Sequence, residues 1–418
     1  MNYNFDRRIE RRGSNAIKWD FYPADVLPLW VADMDFPAPE PILAALRAKV
    51  EHGIFGYESP PKKVLEVVAQ RMANLYGWQV TPEMIVLTPG VITGFNLAAR
   101  ATCQPGDGIL IQPPVYPPFL SVHENVGLVR QYAPLTQYPA RGAQVENGHS
   151  LHYEIDFDAF EAALNSGGAR TRLFLLCQPH NPTGQIYSRE QLTRMAEICL
   201  KNNILICSDE IHSELLLGRP SPSLRSTQDK AQHIPMAALS AEIAARTITL
   251  IAPSKTFNVA GLHCAFAIIP DADLRQRYKK EAGHLTLHLS SLGLAAAQAA
   301  FSGECDGWLD ALLLYLTANR DALVDFVAKN LPGIRTTLPE ATYLAWLDCN
   351  DLLKSGQVSG SPYKFFLHKA KVALNDGATF GPGGEGFVRL NFGCPRATLM
   401  QALERMKAAL QTASQLVS

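Results

Sequence analysis

Through the middle of the chain, short unbroken apolar runs alternate with longer segments whose apolar positions recur at helical spacing. Ile85-Val86-Leu87 runs into Thr88-Pro89-Gly90 and then an amphipathic stretch over 91–102. Ile109-Leu110-Ile111 stops at Gln112-Pro113-Pro114. Leu173-Phe174-Leu175-Leu176 stops at Gln178-Pro179-His180-Asn181-Pro182, ahead of a helical pattern from about 189 to 202. Ile204-Leu205-Ile206-Cys207 closes on Ser208-Asp209-Glu210, and the run over 247–252 closes on Ser254-Lys255-Thr256-Phe257-Asn258. A strand wet on one face would alternate polar and apolar residues. Most of these runs do not, and their alternation with helical segments predicts the strands of a mostly parallel sheet. Right-handed crossovers then place helices on both sides of it.

Past about residue 285 long helical stretches dominate, above all 308–330. Strand-like pieces follow at 342–347 and 386–390, and a helix of about 397–412 closes the chain. The expectation is an α/β fold in two parts. A large α/β domain over 51–288 carries the mostly parallel central sheet, and 1–50 with 289–418 form a smaller α+β domain. Residues 136–152, rich in glycine, glutamine and other polar residues, read as a surface excursion, and 354–362 as a weaker polar break.

The 418 residues are enough for a large core and fit two domains better than one. With 47% hydrophobic and 18% charged residues the chain is far from disorder. A formal net charge of −1 gives no electrostatic case for nucleic-acid or membrane binding. The first residues have no apolar signal core and no later run reaches membrane-spanning length, so the expected location is cytoplasmic. Eight scattered cysteines without a C-x-x-C pair, and histidines without H-E-x-x-H, argue against a disulfide framework and against a metal.

Ligands of open α/β sheets bind beyond the carboxyl ends of the strands, so the groups that follow the apolar runs are expected to converge. Lys255 would be poorly solvated at the end of a buried strand. Its charge must be paired or removed, for instance as a Schiff base with an aldehyde cofactor, unless it is one more solvated surface lysine. Gly90-Val91-Ile92-Thr93-Gly94 joins a strand to a helix whose first N–H groups suit a phosphate; an ordinary tight turn reads the same way. Tyr116, stiffened by flanking prolines, either lies flat on an aromatic ligand or packs on its own loop. The Asn181 amide can donate to a phenolate oxygen, although N-P-x-G is also a plain turn. Asp209 is a strand-end carboxylate that asks for a cation such as a protonated pyridine nitrogen, with His212 within reach. Equally, it is a helix cap. Arg389, inside an apolar strand-like stretch, meets either an internal carboxylate or that of a substrate.

In that order G-x-x-x-G, Y, N-P-x-G, D-x-x-H and S-K-T resemble the fold-type I pyridoxal-phosphate enzymes, the aspartate-aminotransferase superfamily. Within it the chain resembles the MalY/PatB group of cystathionine β-lyases. Asn4-Phe5-Asp6, Arg11-Arg12-Gly13, Lys18-Trp19-Asp20, residues 29–36 and Phe55-Gly56-Tyr57 carry the closer likeness, together with Ser208-Asp209-Glu210-Ile211-His212 and Arg389-Leu390-Asn391. The resemblance implies pyridoxal 5′-phosphate bound covalently to Lys255, which is also the acid/base. It implies Asp209 on the pyridine nitrogen, Asn181 and His212 near the 3-oxygen, and Tyr116 on the ring. Gly90, Val91, Ile92 and Ser254 would hold the phosphate, and Arg389 the substrate carboxylate. Asp33 belongs to the substrate side, within an entrance formed by 30–36. Tyr57 would reach the neighbouring subunit's cofactor, making a homodimer with shared sites, and Tyr57 or Tyr116 would assist Lys255 in protonating the leaving sulfur.

The implied reaction is β-elimination of L-cystathionine or related cysteine S-conjugates to pyruvate, ammonia and a thiol. Departures from the wider superfamily weaken a plain aminotransferase reading: Ala252 three residues before Lys255, His263 eight after it, His212 where tyrosine is usual, and Gln178 opening its turn. An aminotransferase remains the first alternative because it uses the same lysine, aspartate and arginine. A regulatory protein that retains the cofactor site is the second.

Overall fold

The computed structural model describes residues 3–59, 61–139, 150–218, 233–285 and 289–417. The apolar runs form a seven-stranded sheet in the order Ile85–Thr88, Ala265–Ile268, Thr247–Ile251, Leu205–Asp209, Thr171–Cys177, Gly108–Ile111, Val129–Tyr132. Neighbours are parallel except at Ala265–Ile268, which runs antiparallel to both of its partners.

The packing explains why these strands lack polar alternation. Leu173, Leu175 and Cys177 point into one core with Ile248 and Leu250, while Phe174 and Leu176 point into another with Phe160 and Met195. With a side-chain period of two and both faces covered, most positions are apolar, and the polar ones among them, such as Ser208, Thr247 and Thr249, are small and buried. The helix Val91–Thr102 covers the first face through Phe95 and Ala98. Arg189–Lys201 covers the other through Leu192 and Met195, its start fixed by a capping box between Ser188 and Gln191.

Register then decides what meets at the rim. Cys177 stands opposite Asp209, and Asp209 opposite Leu250, so three adjacent strands end together. The segments leaving them carry Asn181, His212 and Lys255.

A second sheet of six strands has the order Asn375–Asp376, Phe387–Asn391, Leu344–Asp348, Arg335–Thr337, Ser150–Ile155, Leu135–Pro139. Its core joins Leu344, Leu347, Val388 and Leu390 to the long helices Asp306–Asn330 and Arg396–Val417. The outer strand pair corrects, at its two ends, the reading of 136–152 as a surface excursion. Thr136 pairs with Glu154 and Tyr138 with His152 in a two-stranded ladder, and residues 140–149 lie outside the described residues. The polar residues there are the wet face of an edge pair, with Leu151, Tyr153 and Ile155 alternating inward. Among the described residues no helix is long and apolar enough to cross a membrane.

Candidate active site

A cavity of about 340 Å³ opens at the carboxyl rim of the large sheet. Gly90, Val91, Ile92, Tyr116, Asn181, Asp209, His212, Ser254 and Lys255 line it together. Helix Val91–Thr102 points its N-terminus into this space, and Gly90 caps it with no side-chain hydrogen bond to the first amides. Those N–H groups are therefore available to an anion. A Cβ at Gly90 would meet nothing within 4 Å, whereas one at Gly94 would lie 2.9 Å from Leu250. Gly94 thus serves helix-on-strand packing, not approach to a ligand.

Lys255 sits in the short helix Pro253–Thr256 directly behind its strand. Its Nζ donates to the Ala32 carbonyl oxygen at 2.7 Å. Burial, then the nearby Arg389 charge, pull its pKa down to about 8. Asp209 is buried, and burial pushes its carboxyl up to about 7 although the Ile211 N–H donates to it at 3.2 Å. No side-chain cation forms an ion pair with it among the described residues. Desolvation drives the His212 pKa well below its ordinary value, so the ring is neutral, and its buried Nδ1 has no hydrogen-bond partner. A cavity with these groups around it fits a phosphorylated pyridinium aldehyde: amides for the phosphate, an unpaired carboxylate for the ring nitrogen, a lysine for the aldehyde.

Arg389 lies in the Phe387–Asn391 strand, 4% exposed. It donates from Nη1 to Asn181 Oδ1 at 3.0 Å, and from Nη2 to the Trp30 carbonyl at 3.0 Å and Asn375 Oδ1 at 2.6 Å. Its guanidinium also lies over the Phe380 ring, 5.1 Å from the centroid. No carboxylate pairs with it among the described residues, and its buried Nε has no partner. Burial lowers its pKa to about 10, which still leaves it charged at neutral pH. The geometry favours a ligand carboxylate over an internal one.

Two other expected residues stand apart. Tyr57 is 98% exposed and does not line the cavity of its own chain. Asp33 is held by Arg11 at 2.8 Å and lies 3.6 Å from the Lys18 ammonium, while Asp35 receives Arg11 at 2.6 Å and the fully buried Lys18 at 2.9 Å. It is the carbonyl of the preceding residue, Ala32, that reaches the site. Residues 30–36 are pinned in turn by Asn391 Nδ2 on the Val31 and Asp33 carbonyls and by Asn258 Nδ2 on those of Met34 and Phe36. Sequence reasoning placed Ala32 within the 30–36 entrance but did not assign Cys177 or His263 to the cavity wall, nor Asn375 to Arg389. Cys177 was foreseeable as the last inward position of its strand. Asn375 sits in a two-residue strand that no periodicity marks.

The family described as "Aminotransferase class I and II" matches residues 24–406. The chain belongs to that family. It is 41% identical to cystathionine beta-lyase PatB of Bacillus subtilis (strain 168) over 97% of its own length and 100% of that protein. Among solved structures, cystalysin from Treponema denticola, which contains a pyridoxal 5′-phosphate cofactor, is 30% identical with a TM-score of 0.86. That match covers 99% of this chain and 100% of the other. The pyridoxal-phosphate-bound C-S lyase from Staphylococcus hominis is 32% identical, again with a TM-score of 0.86, over 98% of this chain and 99% of that one. For this family member the fold-type I architecture expected from sequence is the observed one.

Proposed function

We propose that this protein is a pyridoxal-phosphate-dependent carbon–sulfur lyase that cleaves the Cβ–S bond of L-cystathionine or a related cysteine S-conjugate. With one water consumed, the products are pyruvate, ammonia and a thiol. The observation that carries the reading is Lys255 in the cavity with Arg389 close behind its wall: this guanidinium bonds the cavity-lining Asn181, pairs with no carboxylate among the described residues and leaves its buried Nε without a partner. The 41% identical relative with a lyase name favours elimination over transfer.

The cofactor, when bound, supplies an electron sink for the pair left on the substrate Cα. Everything else is done by the chain. Lys255 would hold the cofactor at its aldehyde carbon, and its free amine would take the substrate's α-proton. The low pKa of its amine keeps a substantial neutral fraction near pH 8. Asp209 keeps the pyridine nitrogen protonated. Asn181 and His212, in the cavity wall, would hold the 3-oxygen, and Tyr116 would lie on the ring. The amides of Gly90, Val91 and Ile92 with Ser254 take the phosphate. Arg389 grips the α-carboxylate, and Asp33 lies on the substrate side as a member of the entrance. The thiolate departs from Cβ and receives its proton from Lys255, Tyr116 or Tyr57.

Tyr57 can act only from a second copy, so the reading includes a cytoplasmic homodimer with shared sites. Ile54 and Phe55, both exposed beside it, are consistent with a contact there. The test is to supply cystathionine with no keto acid and to assay pyruvate, ammonia and free thiol together. Release of all three is expected. Turnover only after a keto-acid acceptor is added would make the protein an aminotransferase.

A further inference from the structure

The Ala32 carbonyl oxygen accepts two hydrogen bonds, one from Lys255 Nζ at 2.7 Å and one from the Tyr343 hydroxyl at 2.9 Å. We propose that Tyr343 is a positioning residue for Lys255: by sharing the acceptor on which the free amine rests, it sets how tightly the amine is held and how readily it leaves. The proposal rests on the reading of Lys255 as the proton-transferring amine of the lyase.

Three features make the arrangement a built one. The acceptor is fixed, because the residues on either side of Ala32 are held by Arg389 on Trp30 and by Asn391 on Val31 and Asp33. The donor is aimed. Thr342, immediately before it, has φ +72°, a conformation that a β-branched residue rarely adopts. Its N–H on Leu215 and its hydroxyl, accepting from the Leu344 N–H, hold it there. The Tyr343 ring is 1% exposed and packs edge-on against His212, 6.1 Å between centroids, so the hydroxyl has one direction to point.

A carbonyl oxygen has two lone pairs, and here both are used while the amine rests. Two donors drawing on one oxygen each bind it less firmly than either would alone. When Lys255 moves to the reacting carbon, Tyr343 remains, and no buried acceptor is orphaned. The tyrosine therefore lowers the cost of each departure and weakens the hold on the charged form of the lysine. The charged or titratable groups facing Lys255 are Arg389, Asp33, Asp209 and His212. None of them shares the Ala32 carbonyl, so removing the Tyr343 hydroxyl alters one contact and leaves those charges in place.

The experiment is competitive acylation of cofactor-free protein across pH, with Lys255 labelling read by peptide mass spectrometry. Tyr343→Phe keeps the ring and removes the hydroxyl. Lys255 in this variant should stay protonated to higher pH and label about threefold more slowly at pH 8, the size of one modest hydrogen bond. In the loaded enzyme the acidic limb of the kcat profile should move to higher pH with KM unchanged. Substituting Tyr343→3-fluorotyrosine strengthens the donor and should shift both readouts the other way, which keeps the test decisive if the Phe variant folds poorly. Unchanged Lys255 labelling in both variants, or a change confined to KM, would overturn the proposal. The labelling readout does not depend on turnover, so it would report on the shared contact even in a protein that proved not to be a lyase.

Discussion

In and beside the cofactor-free cavity, the Lys255 ammonium, the Arg389 guanidinium and the Asp209 carboxyl, raised to about 7, are all short of water. Lys255 titrates near 8 in the fold against an ordinary 10.5, so between those values the unfolded chain binds more protons and stability rises with pH. Below about pH 8 the desolvation cost stands in full. Lys255→Met should therefore abolish turnover while raising the melting temperature of the cofactor-free protein at pH 7, an advantage that fades above about pH 10. A lower melting temperature at pH 7 would mean that the Ala32 contact outweighs desolvation. Asp209 has the opposite sign. Its pKa is raised from 3.8 to about 7, so the folded state binds more protons across that window and stability falls as pH rises through it. Asp209→Asn should flatten this slope in a thermal-shift series from pH 4 to 7, and added cofactor should flatten it in the parent protein. A slope unchanged by the substitution would remove Asp209 as its cause. Asn375 supports Arg389 without lining the cavity. Asn375→Ala should raise KM about three- to tenfold with kcat little changed, the loss of one charge-assisted hydrogen bond.

At the scale of elements, the N-P-T-G turn couples the two sheets. Gly184 has φ +74°, and a Cβ there would come within 2.7 Å of Pro339 Cβ and 2.9 Å of its Cα. Its carbonyl also receives the N–H groups of Glu340 and Ala341, and the Thr337 hydroxyl donates to the Thr183 carbonyl. Gly184→Ala should cost about 2 kcal/mol or more, since backbone strain and overpacking act together. Because the turn carries Asn181, and Asn181 holds Arg389, the same change should raise KM. Denaturant titration beside steady-state kinetics would check both, and a stable variant with a raised KM would separate the two effects. The elements themselves were largely readable. The runs around Leu173, Ile206 and Ile248 announced doubly buried strands because no position in them faces water. The 150–155 strand was missed because its outward residues, His152 and Glu154, hid a clear inward alternation.

For the whole molecule, Tyr57 poses the main question. Its position is settled within the chain, yet its proposed chemistry belongs to another copy's cavity. Tyr57→Ala and Lys255→Ala chains should each be weak or inactive alone. Mixed after dissociation, they should recover about a quarter of wild-type activity, because half of the randomly formed dimers carry one intact site. No recovery, with dimer exchange verified by mass, would place Tyr57 outside the site.

The chain by itself determined the sheet, the helices over it and which polar groups stand at strand ends, because burial on both faces imposes an unbroken apolar spelling. It also determined that Lys255, Asp209, Asn181 and His212 share one rim, since parallel strands in one register end together. Only the tertiary structure decided what those groups touch. The gathering of Asn181, Trp30 and Asn375 on Arg389, the clamp of Arg11 and Lys18 on Asp33 and Asp35, and the joint hold of Lys255 and Tyr343 on Ala32 all join residues far apart in sequence. Such contacts depend on side-chain direction at crossings between the two sheets and the N-terminal segment, and no local pattern records that direction.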